Sequence, residues 1–133
     1  MTNEVEREEL INELREAGIK HNPDNILRIV KLSDGKIVFL ETGDDRSGWV
    51  HIRETHARDF INRGISENQI IEAVIAAVTR GRFLDTQGTT RAIYEVEFNG
   101  ETQYISVDIA SNGYIVGANP TKTRLIRRLI QEK

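Results

Sequence analysis

Cysteine is absent from this chain of 133 residues, which excludes a disulfide framework, a thiol nucleophile and a thiolate zinc site. Long apolar runs are absent too: none approaches the roughly 20 residues needed to cross a bilayer. The opening MTNEVEREEL has neither the basic nor the apolar block of a secretory signal, so export would depend on a larger polypeptide carrying it. Several functional motifs are also missing. There is no G-x-S-x-G elbow, no phosphate-cradling P-loop and no G-x-G-x-x-G. TGDDRSG offers too few ligand positions for a calcium hand. HIRETH is not the H-E-x-x-H of a zinc protease. Neither a metal nor a cofactor is expected.

What is present suits one folded domain. Charged residues make up 29% and hydrophobic ones 38%, a mixture typical of globular proteins, and a chain of this length can bury about two-thirds of its unfolded surface in a single core. The net charge of −3 is unevenly spread. Residues 1–24 hold seven acidic groups against three basic ones, a balance of −4, which leaves +1 for the remainder. The last segment, TKTRLIRRLIQEK, has five cations (Lys122, Arg124, Arg127, Arg128, Lys133) and one anion. One domain is expected, made of an acidic helical segment over 1–24, a core over 25–120 and a basic helix over 121–133. A solvated or packed amphipathic tail is the plain reading of that last segment, and a local basic patch the functional one.

Periodicity gives the elements. In EVEREELINELREAG, Val5, Leu10, Ile11, Leu14 and Ala17 share one helical face, with Gly18 as a stop. NILRIVKL and KIVFLE flank Ser33-Asp34-Gly35, which predicts a hairpin over about Ile26 to Glu41. Trp49, Ile52, His56 and Phe60 follow helical spacing up to Gly64. Ser66 and Gln69 form a capping box ahead of the apolar stripe Ile70, Ile71, Val74, Ile75 and Val78, which ends at Arg80-Gly81. From Phe83 the period changes to two. RAIYEVEF, ETQYISVDI and YIVGA are separated by Asn99-Gly100 and Asn112-Gly113 and read as a meander. Ile105, Val107 and Ile109 should face the core, with Tyr104, Ser106 and Asp108 opposite. The fold class is α+β: two central helices packed on an antiparallel sheet of about four strands, with an N-terminal helix and hairpin and a C-terminal basic helix.

Candidate chemistry is sparse. His51 and His56 are five residues apart, so on a helix they point about 140° from one another and are poorly placed to share a metal. His56 lies on the apolar stripe, where a half-buried structural histidine is an adequate explanation. His51 sits at the expected helix start beside a glycine-containing loop, where its side chain can turn toward a neighbouring element. Asp44 and Asp45 read as a solvated turn. Arg82, Thr89, Thr90 and Arg91 flank the start of the meander and could hold a phosphate. Tyr94 and Tyr104 fall on neighbouring strands, able to offer a hydroxyl or a stacking ring, although core-edge tyrosines are commoner.

The order of these elements, with G-W-x-H-I-x-x-x-H-x-x-D-F on a helix, GTTRAIYEV in the meander and SNGYIVGANP at the last strand, resembles the barnase/EndoU/colicin/RelE-like nucleases, and within them the C-terminal toxin domains of bacterial polymorphic toxins of the contact-dependent inhibition type. The likeness covers about Ile26 to Thr121 and omits the acidic helix and basic tail. It implies a metal-independent ribonuclease toxin acting on RNA, tRNA included, in the cytoplasm, delivered within a larger secreted protein and neutralised by a cognate immunity protein; no membrane partner is implied. Carried over by position, it implies catalytic roles for His51, His56, Arg91 and Thr121, and substrate contacts from Arg53, Thr90, Tyr94, Tyr104, Asn119 and Lys122. Where relatives often read H-I-x-x-R-H this chain has Thr55, leaving Arg53 to substitute. Where many have Thr or Ser in the last strand it has Gly117. Such residues suit RNA cleavage, which needs a base for the ribose 2′-OH, an acid for the 5′-oxygen and cations around the phosphorane-like transition state; histidine can serve as either acid or base. The competing reading is a non-catalytic RNA- or protein-binding module of the same fold. The two differ in whether His51, Arg91 and Thr121 share one cleft.

Overall fold

A computed structural model describes residues 4–131. Their elements follow the expected α+β order: helix α1 (Glu4–Glu16), hairpin strands β1 (Ile26–Lys31) and β2 (Ile37–Glu41), helices α2 (Gly48–Ile61) and α3 (Ile70–Arg80), strands β3 (Arg82–Gln87), β4 (Arg91–Phe98), β5 (Glu101–Ile109) and β6 (Ile115–Pro120), and helix α4 (Thr123–Gln131). Residues 1–3 of the acidic segment and 132–133 of the basic one lie outside the described residues. Among the described residues no helix is long and apolar enough to cross a membrane.

β3 to β6 form a four-stranded antiparallel sheet in sequence order, and β1 pairs with β2 in a separate hairpin. A parallel bridge between Phe39 and Tyr114 joins the hairpin to the meander. β3, RFLDTQ, is the strand that alternation did not single out. Five of its six residues are exposed, and its pairing with β4 shifts register between Phe83 and Asp85. An edge strand with neither face well covered has no apolar period to display.

The main core lies where α2 and α3 meet the first face of the sheet. Ile52 and Phe60 of α2, Val74 and Ala77 of α3, and Ile105, Val107 and Ile115 of the sheet are buried together. Each large apolar side chain so removed from water contributes about 1.5–3 kcal/mol. The capping box is made as expected: Ser66 and Gln69 bond reciprocally around the short 3-10 turn Glu67–Gln69 that leads into α3. A second cluster, Ile11, Leu14, Ile26, Ile29 and Phe39, joins α1 to the hairpin. Arg7 reinforces it by donating to the Ile26 carbonyl at 2.8 Å. Val5, assigned to the apolar face of α1, is instead 65% exposed, because the hairpin covers only the second half of the helix.

The sheet is covered on its other face as well. Ile93, registered with Ser106, points away from α3, yet it is buried, as are Ile126 and Leu129 of α4. The Thr121 and Ser106 hydroxyls hydrogen-bond at 2.8 Å, which seats the chain leading into α4 on this second face. Ser106, expected on the face opposite Ile105 and Val107, lies there and is fully buried. The packed amphipathic tail that the last segment suggested is what covers this face.

Candidate functional site

α2 runs beside β6 and is held at both ends. At its start, the loop TGDDRSG is pinched where Gly43 and Gly48 meet: both have positive φ (66° and 83°), and a β-carbon on Gly43 would lie 2.0 Å from the Ser47 carbonyl oxygen. Only glycine fits there. Within the loop the Asp44 carboxylate accepts from the Arg46 and Ser47 amides at 2.9 and 3.3 Å. The Arg46 amide bond is the main reason that its pKa lies below the ordinary value. At the far end, the Arg63 guanidinium donates to the Thr121 carbonyl at 2.9 Å, and the buried Gln103 amide donates to the Arg63 carbonyl at 2.9 Å.

This frame sets the ring of His51. Its Nδ1–H donates to the Asp45 carbonyl at 3.0 Å, which leaves Nε2 as the free nitrogen. Cδ2 and Nε2 lie 3.5 and 3.8 Å from where a β-carbon on Gly117 would stand. The ring therefore lies over Gly117, on the face to which that β-carbon would point. Gly117 pairs with Asp108, Asp108 with Arg91, and Arg91 with Gln87. Partners in an antiparallel sheet share a face, with β-carbons about 4.5–5.5 Å apart. One row thus crosses the second face: Gln87, Arg91, Asp108, Gly117, and the His51 imidazole above the last. The side chains of Arg91 and Asp108 make no hydrogen bond or ion pair among the described residues.

Other expected site residues are placed differently. His56 donates from Nδ1 to the Asp59 carboxylate at 2.9 Å and is 31% exposed; the helix turns it about 140° from His51, so it does not join the row. Arg53, two residues beyond His51, is exposed and turned about 200° away. Thr121 is 1% exposed with its hydroxyl engaged by Ser106. It is buried beneath the second face and is not free to touch a phosphate. Tyr94 pairs with Ile105 and so faces α3, against the core, while Tyr104 pairs with Glu95 on the second face and donates to its carboxylate at 3.1 Å. The two tyrosines thus lie on opposite faces, and burial raises the pKa of each above the ordinary value, with the Glu95 hydrogen bond adding to the effect at Tyr104. Thr90 is exposed in the β3–β4 turn. Asn119 pairs with Ser106 on the second face, and its Nδ2 donates to the Pro120 carbonyl at 2.9 Å.

Lys122 is exposed at the start of α4 and, with Gln87, Arg124, Leu125 and Arg128, lines a depression of about 410 Å³. Gln87 is the end of the row, so this basic depression adjoins Arg91. Among the described residues no three His, Asp or Glu side chains are grouped as metal ligands.

Asp108 is the residue missed from the sequence. The signal was there: the Asn99-Gly100 turn, with both residues at positive φ, sets a tight two-residue hairpin, and counting outward from it places Asp108 opposite Arg91. No family model matches the chain, and no curated protein sequence matches it.

Proposed function

We propose that the chain is a metal-independent ribonuclease of the barnase/EndoU/colicin/RelE-like class, cleaving RNA by transesterification to a 2′,3′-cyclic phosphate and a 5′-OH. The observation that carries this reading is the row on the second face, in which His51, Asp108 and Arg91 stand together with their working atoms unpaired.

The roles follow from the residue types. A carboxylate is ionised at neutral pH and suits the base; a histidine titrates nearby and suits the acid. Asp108 takes the proton of the ribose 2′-OH, whose oxygen bonds to phosphorus. The bond from phosphorus to the 5′-oxygen breaks, and His51 Nε2–H gives its proton to the leaving oxygen. The Nδ1 bond to the Asp45 carbonyl holds the ring with Nε2 toward the substrate. Arg91 offsets the charge that gathers on the phosphoryl oxygens. Asp108 thereby supplies, beside His51, the second acid–base group, a part that the resemblance implied for His56. RNA is the partner this site calls for; a cognate immunity protein and delivery within a larger toxin are supported by the sequence resemblance.

Purified protein incubated with total RNA in EDTA tests the proposal. Cleavage with cyclic-phosphate ends is expected, reduced by about 10²–10⁴-fold in His51→Ala and in Asp108→Asn, the usual contribution of a general acid or base. No cleavage, or cleavage undiminished by both substitutions, would sink it. RNA bound but never cut would instead favour the binding module.

A further inference from the structure

The cations of α4 are not absorbed by the row or by packing. Lys122, Arg124, Arg127 and Arg128 are all exposed, and none forms an ion pair among the described residues. The other face of the same helix is fixed, with Ile126 and Leu129 buried. An amphipathic helix needs only a solvated polar face, and mixed charges would serve. This one carries a single sign throughout the described residues, in a chain whose overall charge is −3.

Position adds to composition. Arg124 and Arg128 are one turn apart, about 5–6 Å between β-carbons, and both line the depression with Lys122 and Gln87. Gln87 is Arg91's partner across β3 and β4. The cationic surface therefore continues the row outward from Arg91 and ends on a rigid helix. Its spacing suits a polyanion with regularly repeated charges.

Resting on the ribonuclease reading, we infer that α4 and the end of β3 form a second, non-catalytic subsite that holds the phosphodiester backbone of the RNA strand leading away from the scissile phosphate. Arg124 and Arg128 each neutralise one phosphate, and Lys122 sits between them and the row. The subsite reads backbone charge, so it strengthens binding of long RNA over short without selecting sequence.

The test is equilibrium binding of a fluorescent 2′-O-methyl RNA 12-mer, which cannot be cleaved, so the result does not depend on whether the chain cuts RNA. The logarithm of affinity is plotted against the logarithm of salt concentration for the wild type, for Arg124→Ala/Arg128→Ala, and for Arg15→Ala/Lys36→Ala, which removes two exposed cations from α1 and the turn of the first hairpin. The α4 pair should flatten the slope by about 1.4, at about 0.7 per phosphate contact on a single strand, while the control pair leaves it unchanged. An equal change in both variants, or none in the α4 pair, would overturn the subsite. So would binding of polyglutamate as tight as that of RNA, because the surface would then suit an acidic protein instead. Circular dichroism of each variant, with an unchanged melting temperature, shows that the fold is intact.

Discussion

The His51 ring packs over Gly117: its atoms stand 3.5 and 3.8 Å from the place of a β-carbon, ordinary van der Waals contact. The residue at which the chain departs from the pattern it resembles is thus the one beneath the imidazole. Gly117→Ala adds a methyl at ordinary van der Waals distance and should leave both melting temperature and cleavage close to wild type. Gly117→Val adds two further carbons where the ring lies. It should displace His51, lowering cleavage of total RNA at least tenfold, with a stability change of about 1–3 kcal/mol for overpacking. Thermal melts and cleavage rates on both variants check it. Wild-type cleavage by the valine variant would show that the ring position is irrelevant.

Thr121 and Ser106 bond to each other in the buried second face. Thr121→Val strands the Ser106 hydroxyl, and should cost about 1–3 kcal/mol. Adding Ser106→Ala should restore part of that loss, because no unpaired group then remains. Melting of the two single variants and the double variant gives the coupling. A role for Thr121 at the phosphate predicts the opposite pattern: unchanged melting and lost cleavage.

Asp44 organises the loop that presents the Asp45 carbonyl to His51. Asp44→Ala should therefore lower cleavage without removing any group from the row, whereas Asp44→Asn, which keeps an acceptor oxygen, should retain most of it. A depressed carboxylate pKa means that the native state binds this proton less tightly than the unfolded chain does. Its contribution to stability is present above the unfolded value of about 3.8 and is lost as pH falls through the lower native value. Melting temperature should fall less between pH 5 and pH 2 in Asp44→Ala than in the wild type.

Tyr94 carries the opposite sign. Burial raises its pKa, so its contribution is complete below the ordinary value of about 10 and is lost as pH rises through the raised one. The wild type should lose more melting temperature between pH 9 and pH 11 than Tyr94→Phe does. Parallel curves would mean that the phenol ionises freely in the folded state.

Local signals in the sequence were sufficient for much of the fold. The Asp34-Gly35 hairpin, the capping box at Ser66 and Gln69, and the turn at Asn99-Gly100 each depend on residues a few positions apart, and each element appears within a residue or two of its expected bounds. β3 gave little signal because an exposed edge strand has no buried face to impose a period. The site was legible only in pieces. His51 and Arg91 were named, but the meeting of His51 with Gly117 spans 66 positions of sequence and depends on how α2 lies along β6. Thr121, given its role by the resemblance, is buried against Ser106, a contact between positions 15 apart that no local pattern displays.

The pinch at Gly43 and Gly48 is a meeting of backbone with backbone, with no side-chain rotamer between the loop's foot and the helix it launches. The carbonyl that orients His51 thus inherits the stiffness of the main chain, and the ring's direction is set when the protein folds and not when a ligand arrives. Because that partner is a main-chain carbonyl, it can only accept, which fixes the proton on Nδ1 whatever side chain stands at position 45.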